Sequence, residues 1–224
     1  MRRKLMLVTM LSLALLLSSA VLAKKEKTGV LAKDIFTDSL NKYQLTVPSN
    51  WKLKPEKEPS LLRATLQKIK LEPPRAGSSQ GYDLGERFIP IIKILADTSS
   101  LSLERFCELL LAGKDELARE NEYLMKLDLL IQSELKSQQK IKLGEQEGVK
   151  YTFQKKYLKQ VRDPRENIGG TIQNVTVEEA LLGHLILTKK NNQVFMIQCL
   201  GERDTFEFED QDYQILLASW KFIS

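Results

Sequence analysis

The last quarter of the chain, Glu179 to Ile223, limits the fold more than any other stretch. In Ala180–Thr188, Leu181, Leu185 and Leu187 alternate with Leu182, His184 and Ile186; in Gln193–Leu200, Val194 to Ile197 is apolar without a break. Strands that are apolar on both faces need cover on both faces. The polar run Lys189–Asn192 between them predicts a hairpin loop, with Asn available where φ must be positive. After a break at Gly201–Thr205, Glu207, Glu209, Asp210 and Asp212 precede Tyr213, Leu216 and Leu217. Carboxylates in the first turns favour a helix, whose N-terminus carries partial positive charge. Ser219–Ile223 closes the chain as a short alternating strand.

The other end has a different character. Arg2, Arg3 and Lys4 lead into the apolar run Leu5–Leu17, and Ser18–Ala23 ends in small residues. This succession predicts a secretory signal over residues 1–23, with the mature chain starting near Lys24. The alternative is a retained anchor, since the apolar run extended through Leu22 approaches the roughly 20 residues that span a bilayer. No Cys follows the small residues, which argues against a lipid anchor. Losing the segment removes three positive charges and lowers the formal net charge from +5 to +2. The basic balance therefore gives little reason to expect a nucleic-acid partner. Residues 24–33 are polar and expected to be loose, and 34–224 suits a single domain.

Between these ends, Asp34–Asp38 and Tyr43–Val47 are expected strands, the second ended by Pro48-Ser49-Asn50. Trp51 follows at once and is expected to plug an edge of the core. Leu62–Leu71 has strand character, with a slip of face that suggests a bulge. Glu72–Arg87, rich in Pro, Gly and Ser, is a long loop. Phe88–Ala96 is a strand. Ser99–Leu117 is the clearest helix, capped by Ser102, with Leu103, Phe106, Cys107, Leu110 and Leu111 in one stripe. A second helical stretch is expected over Asp115–Leu127, and Leu129–Lys136 and Gln139–Leu143 look extended. Gly144–Gly148 predicts a turn, Val149, Tyr151 and Phe153 a strand, and Lys159–Val175 a polar loop. The total is seven or eight strands and two or three helices, an α+β chain with a mostly antiparallel sheet covered by helices.

The segments YQLTVPSNW from Tyr43, SLERF from Ser102, LGEQEGVKYTF from Leu143 and LLASWKF from Leu216 stand in this order. Over roughly Phe36 to Ile223 the chain resembles the PsbP-like superfamily, the α/β/α sandwich of the PsbP, Mog, DcrB and LpqN types. The resemblance implies an antiparallel sheet between helices, and binding or assembly in place of catalysis. It carries no catalytic motif, so no functional residue transfers with it.

The chemistry-bearing residues are few. His184 is the only histidine, and no nucleophile pairs with it in the sequence, so a structural role is expected. With one histidine and two cysteines the chain cannot assemble a tetrahedral zinc site, and no metal or cofactor is expected. The carboxylates from Glu202 to Asp212 fail as an EF-hand loop, having Ile215 at the closing position, and are assigned to helix-terminus electrostatics. Lys155, Lys156, Lys159, Arg162 and Arg165 form a basic run that could meet an acidic partner. Cys107 and Cys199 are a candidate disulfide if the first helix packs on the face of Cys199; otherwise they are buried thiols. These features describe an exported, non-enzymatic binding or assembly module of the cell envelope. Its partner would be an unidentified protein or envelope component, and it would meet the membrane only through the signal segment. The alternative is a carboxylate-based hydrolase, which would need a cleft holding a strongly perturbed Asp or Glu.

Overall fold

The computed structural model describes residues 27–57, 60–71, 87–112, 117, 120–162 and 174–223. In chain order the elements are β1 (Val30–Ala32), β2 (Ile35–Asp38), β3 (Tyr43–Thr46), β4 (Trp51–Pro55), β5 (Leu62–Lys68), β6 (Ile91–Thr98), α1 (Leu103–Ala112), α2 (Glu120–Lys126), a 3₁₀ turn (Asp128–Leu130), β7 (Ser133–Leu143), β8 (Gln146–Arg162), β9 (Asn174–Lys190), β10 (Gln193–Glu202), α3 (Phe206–Ala218) and β11 (Lys221–Phe222). The large sheet runs β4-β5-β6-β10-β9-β8-β7, the small one β1-β2-β3-β11, and every pairing is antiparallel. The chain is thus α+β, with the antiparallel sheet and flanking helices that the PsbP-like resemblance implies.

The alternation in the terminal hairpin divides the core in two. Phe195, Ile197, Cys199 and Ile186 face the small sheet and α3, packing with Phe36, Tyr43, Leu45, Tyr213, Leu216 and Trp220. Val194, Met196, Leu200, Leu185 and Leu187 face the opposite way, onto Phe106, Cys107 and Leu110 of α1 and onto Tyr123, Leu127 and Leu129. The expected cover on both faces is therefore supplied by different elements. The hairpin turn places Asn191 at φ 55°, the left-handed conformation Asn tolerates. Ser102 caps α1, its Oγ accepting from Arg105 N at 3.2 Å. Gly183 leaves room for Leu129 to approach β9, since a Cβ there would lie 2.6 Å from a Leu129 methyl.

Several expectations need correction. Eleven strands form among the described residues, more than the seven or eight expected: β1 lies in the segment expected to be loose, and β4 continues the chain after the turn where only Trp51 was singled out. The closing strand shrinks to Lys221–Phe222 and joins the small sheet, not the large one. Residues 27–33 are not loose: Lys27 bridges Lys57, β1 pairs β2, and Thr28 is buried with its hydroxyl on Arg63 O. The bulge in β5 falls at its start, between Leu62 and Ala64. α1 ends at Ala112, α2 spans only Glu120–Lys126, and the two extended pieces before Leu143 are one strand, β7, with a shift between Leu135 and Ser137. The polar loop begins later than expected, because β8 runs to Arg162 and β9 starts at Asn174. The segments 1–23 and 72–86, and with them the expected signal and most of the expected long loop, lie outside the described residues.

Candidate functional site

Beyond Lys155, β8 has lost β7 as a neighbour, and before Leu181, β9 has not yet met β10. From Lys156↔Ala180 to Arg162↔Asn174 these strands pair only with each other, as a two-stranded ribbon. The basic run sits at the base of this ribbon and along it, so the strand period divides it. Lys155 and Lys159 point to one face and Lys156 to the other. Lys155 Nζ donates to Asp128 O at 3.0 Å, Lys156 lies 2.8 Å from Glu178, and Lys159 lies 3.8 Å from Glu202. The side chain of Arg162 and all of Arg165 are outside the described residues. Among the described side chains of the run, the lysines are divided between the two faces of the ribbon.

The cysteines are also kept apart. α1 packs on the Gln198 face of β10, not on the Cys199 face, so Cys107 and Cys199 belong to opposite halves of the core as free, buried thiols. The shared layer that a disulfide required is absent for that reason. Burial pushes the Cys107 thiol up to about 11 against the lowering effect of a hydrogen bond with Tyr151, and burial raises Cys199 well above its usual value. Alkylation in denaturant without reductant is expected to add two labels per chain, and the folded protein to label slowly at both. No label in denaturant would mean that the two sulfurs are bonded.

The carboxylates of α3 do more than complement its N-terminus. Lys68 Nζ, 1% exposed, lies 3.2 Å from Glu209, also 1% exposed, and 3.3 Å from Asp212. Asp212 also accepts from Trp51 Nε1 at 2.8 Å. Asp210 receives His184 Nε2 at 3.2 Å, while His184 Nδ1 meets the Thr152 hydroxyl at 3.1 Å. Burial raises the Glu209 carboxyl, whereas the hydrogen bond from His184 holds Asp210 at about 2. This opposite perturbation is what an acid–base pair would need. Here it arises where α3 is fastened to the sheet. Because Asp210 is depressed from 3.8 to about 2, its contribution is present above pH 3.8 and lost as pH falls toward 2. Asp210→Asn is expected to flatten the loss of stability in that window by about 1 kcal/mol or less, since Asp210 is 35% exposed and screened. Urea melts at steps from pH 2 to 5 measure it.

A feature suited to a partner was not legible in the sequence. A groove of about 720 Å³ lies between α1 and the β7–β8 end of the large sheet. Leu103, Leu111 and Val149 give it apolar surface, with Cys107 and Tyr151 beneath. Glu104 and Glu108 line the helix side, and Lys140 and Lys142 the β7 side. Their strand period sets Gln138, Lys140 and Lys142 opposite Tyr151, Val149 and Glu147, on one face. None of His184, Glu209 or Asp210 borders the groove. Among the described residues no cluster of His, Cys, Asp or Glu could hold a metal ion, and no helix is long and apolar enough to cross a membrane.

No protein-family model matches the sequence, and no curated protein matches it. Among solved structures, LpqN of Mycobacterium tuberculosis, involved in cell envelope biogenesis, is similar at 11% identity and a TM-score of 0.45, over 90% of this chain and 92% of that one. Cyanobacterial PsbP from Synechocystis sp. PCC 6803 is similar at 12% identity and 0.44, over 90% and 98%. The Saccharomyces cerevisiae Ran-binding protein Mog1p is similar at 8% identity and 0.42, over 90% and 97%. The solved structures similar to this chain thus include LpqN, PsbP and Mog proteins, three of the types named by the PsbP-like resemblance.

Proposed function

We propose that the chain is an exported, non-enzymatic binding or assembly module of the cell envelope, and that it holds its partner in the groove between α1 and β7–β8. The observation that carries this reading is the groove: apolar Leu103, Leu111 and Val149 between Glu104 and Glu108 on the helix side and Lys140 and Lys142, with Glu147, on the sheet side. Such a trough suits an amphipathic segment of a partner protein. Its apolar stripe would lie on Val149 and Leu111, its cations toward Glu104 and Glu108, and its carboxylates toward Lys140 and Lys142. Lys155, Lys156 and Lys159 are already engaged within the chain, which favours the groove over the basic run as the recognition site. The carboxylates expected of a hydrolase are occupied in fastening α3.

A photo-reactive residue at Val149, used in the envelope fraction, should give one discrete adduct that disappears when Leu111→Asp is added. A second probe at Gln67, exposed on β5, should not give it. Equal adducts from both positions would sink the site assignment. Hydrolytic turnover abolished by Glu209→Gln would sink the non-enzymatic reading. Export is tested by the mass of the native protein, expected to begin near Lys24; an intact Met1 would end that part of the proposal.

A further inference from the structure

The N-terminal edge of the fold exposes apolar and basic groups together. Val30, Leu31 and Ile35 are 68%, 39% and 43% exposed. The register Val30↔Thr37 and Ala32↔Ile35 puts Val30, Ala32 and Ile35 on the outer face of the small sheet, away from buried Phe36. Three residues before Val30, Lys27 bridges Lys57, and both border a pocket of about 400 Å³ with Lys54, Pro55 and Glu56. Lys33, exposed at φ 58°, forms the β1–β2 turn beside Asp34. One exposed valine is ordinary. Val30, Ala32 and Ile35 on one short face, with exposed Lys33 in the turn beside them and exposed Lys27 and Lys57 at the same end of the fold, call for an apolar, anionic surface.

The sequence indicates which surface that is. The apolar run beginning at Leu5 ends at Ala23, and only Lys24, Lys25 and Glu26 separate it from Lys27. Four residue steps span about 14 Å at most. Held in the membrane before cleavage, the run delivers this edge, and not the groove, to the bilayer. We propose that Lys27 to Ile35, with Lys57, is a contact surface for an anionic lipid bilayer, beyond the apolar segment itself. Its ammonium groups would lie at the phosphate level, and Val30 and Ile35 at the acyl boundary. This is independent of the groove, and either can fail alone.

The test uses the full chain with Val30→Cys carrying a polarity-sensitive dye; Cys107 and Cys199 are buried, so position 30 labels selectively in the folded protein. A second labelled variant, Asn192→Cys, reports the β9–β10 turn. Vesicles are phosphatidylcholine alone, or mixed with phosphatidylglycerol. The dye at position 30 should shift to the blue on the mixed vesicles, and the dye at position 192 should not. Apparent affinity should fall about tenfold or more in the Lys27→Glu, Lys33→Glu, Lys57→Glu triple variant, and fall at high salt. Circular dichroism confirms that the triple variant is folded. Equal shifts on both vesicle types, equal shifts at both positions, or no shift would overturn the proposal. So would a shift without vesicles that grows with protein concentration, which would mean that a second copy covers this edge.

Discussion

Asp38→Ala is expected to lower the free energy of unfolding by about 3–5 kcal/mol, the range for stranding one partner of a buried ion pair. Asp38 is fully buried, and its Oδ2 accepts from Arg63 Nε at 2.7 Å, with Arg63 3% exposed. The same carboxylate accepts from Asn41 Nδ2 and from the backbone N–H groups of Leu40 and Asn41. One side chain therefore shapes the β2–β3 turn and joins the small sheet to β5. Without it the Arg63 guanidinium keeps its bonds to Ser60 O and Thr28 O but loses the carboxylate that meets it at 2.7 Å in a buried site. Urea denaturation of the variant checks the loss. Asp38→Leu combined with Arg63→Met should recover much of it, because neither charge is then left alone. A loss below about 1 kcal/mol would mean that water reaches the pair.

Trp51→Ala should cost a similar amount, about 3–5 kcal/mol, for removing a large buried aromatic. Trp51 is 4% exposed at the start of β4, within the core half that contains α3. Its indole N–H also reaches Asp212, so the substitution loosens α3 as well as opening a cavity. Trp51→Phe keeps most of the apolar area and loses only the hydrogen bond, for about 1–3 kcal/mol. The ratio of the two losses separates packing from tethering. An unchanged melting temperature for Trp51→Ala would place the ring at the surface and restore a ligand-stacking role.

Much of the local structure was legible because it depends on short-range period and torsion. The two-faced apolarity of the terminal hairpin announced cover on both sides. Asn191 marked its turn, and Ser102 marked the start of α1. Trp51 after Pro48-Ser49-Asn50 announced a buried ring. The candidate site was far less legible. The basic run Lys155 to Arg165 was legible as a run that could meet an acidic partner, but a strand sends neighbouring side chains to opposite faces. Cys107 and Cys199 each looked buried, yet which face of the sheet received α1 is a tertiary choice that no pattern within α1 encodes. The carboxylates of α3 looked like helix-end charges, because Lys68, more than a hundred residues away, is what draws Glu209 inward.

By itself the sequence determined the class of the fold, the order of its main strands and helices and the burial of Trp51 and of the terminal hairpin's apolar faces, since each of these follows from interactions over a few residues. Only the tertiary structure decided the division into two sheets, in which Trp220 stacks on Tyr43 at 4.4 Å. It also decided the separation of the thiols, the groove beside α1 and the basic, apolar edge at Lys27–Ile35. These depend on which distant segments meet, and that is set by the packing of whole faces against one another and not by the pattern of any one of them.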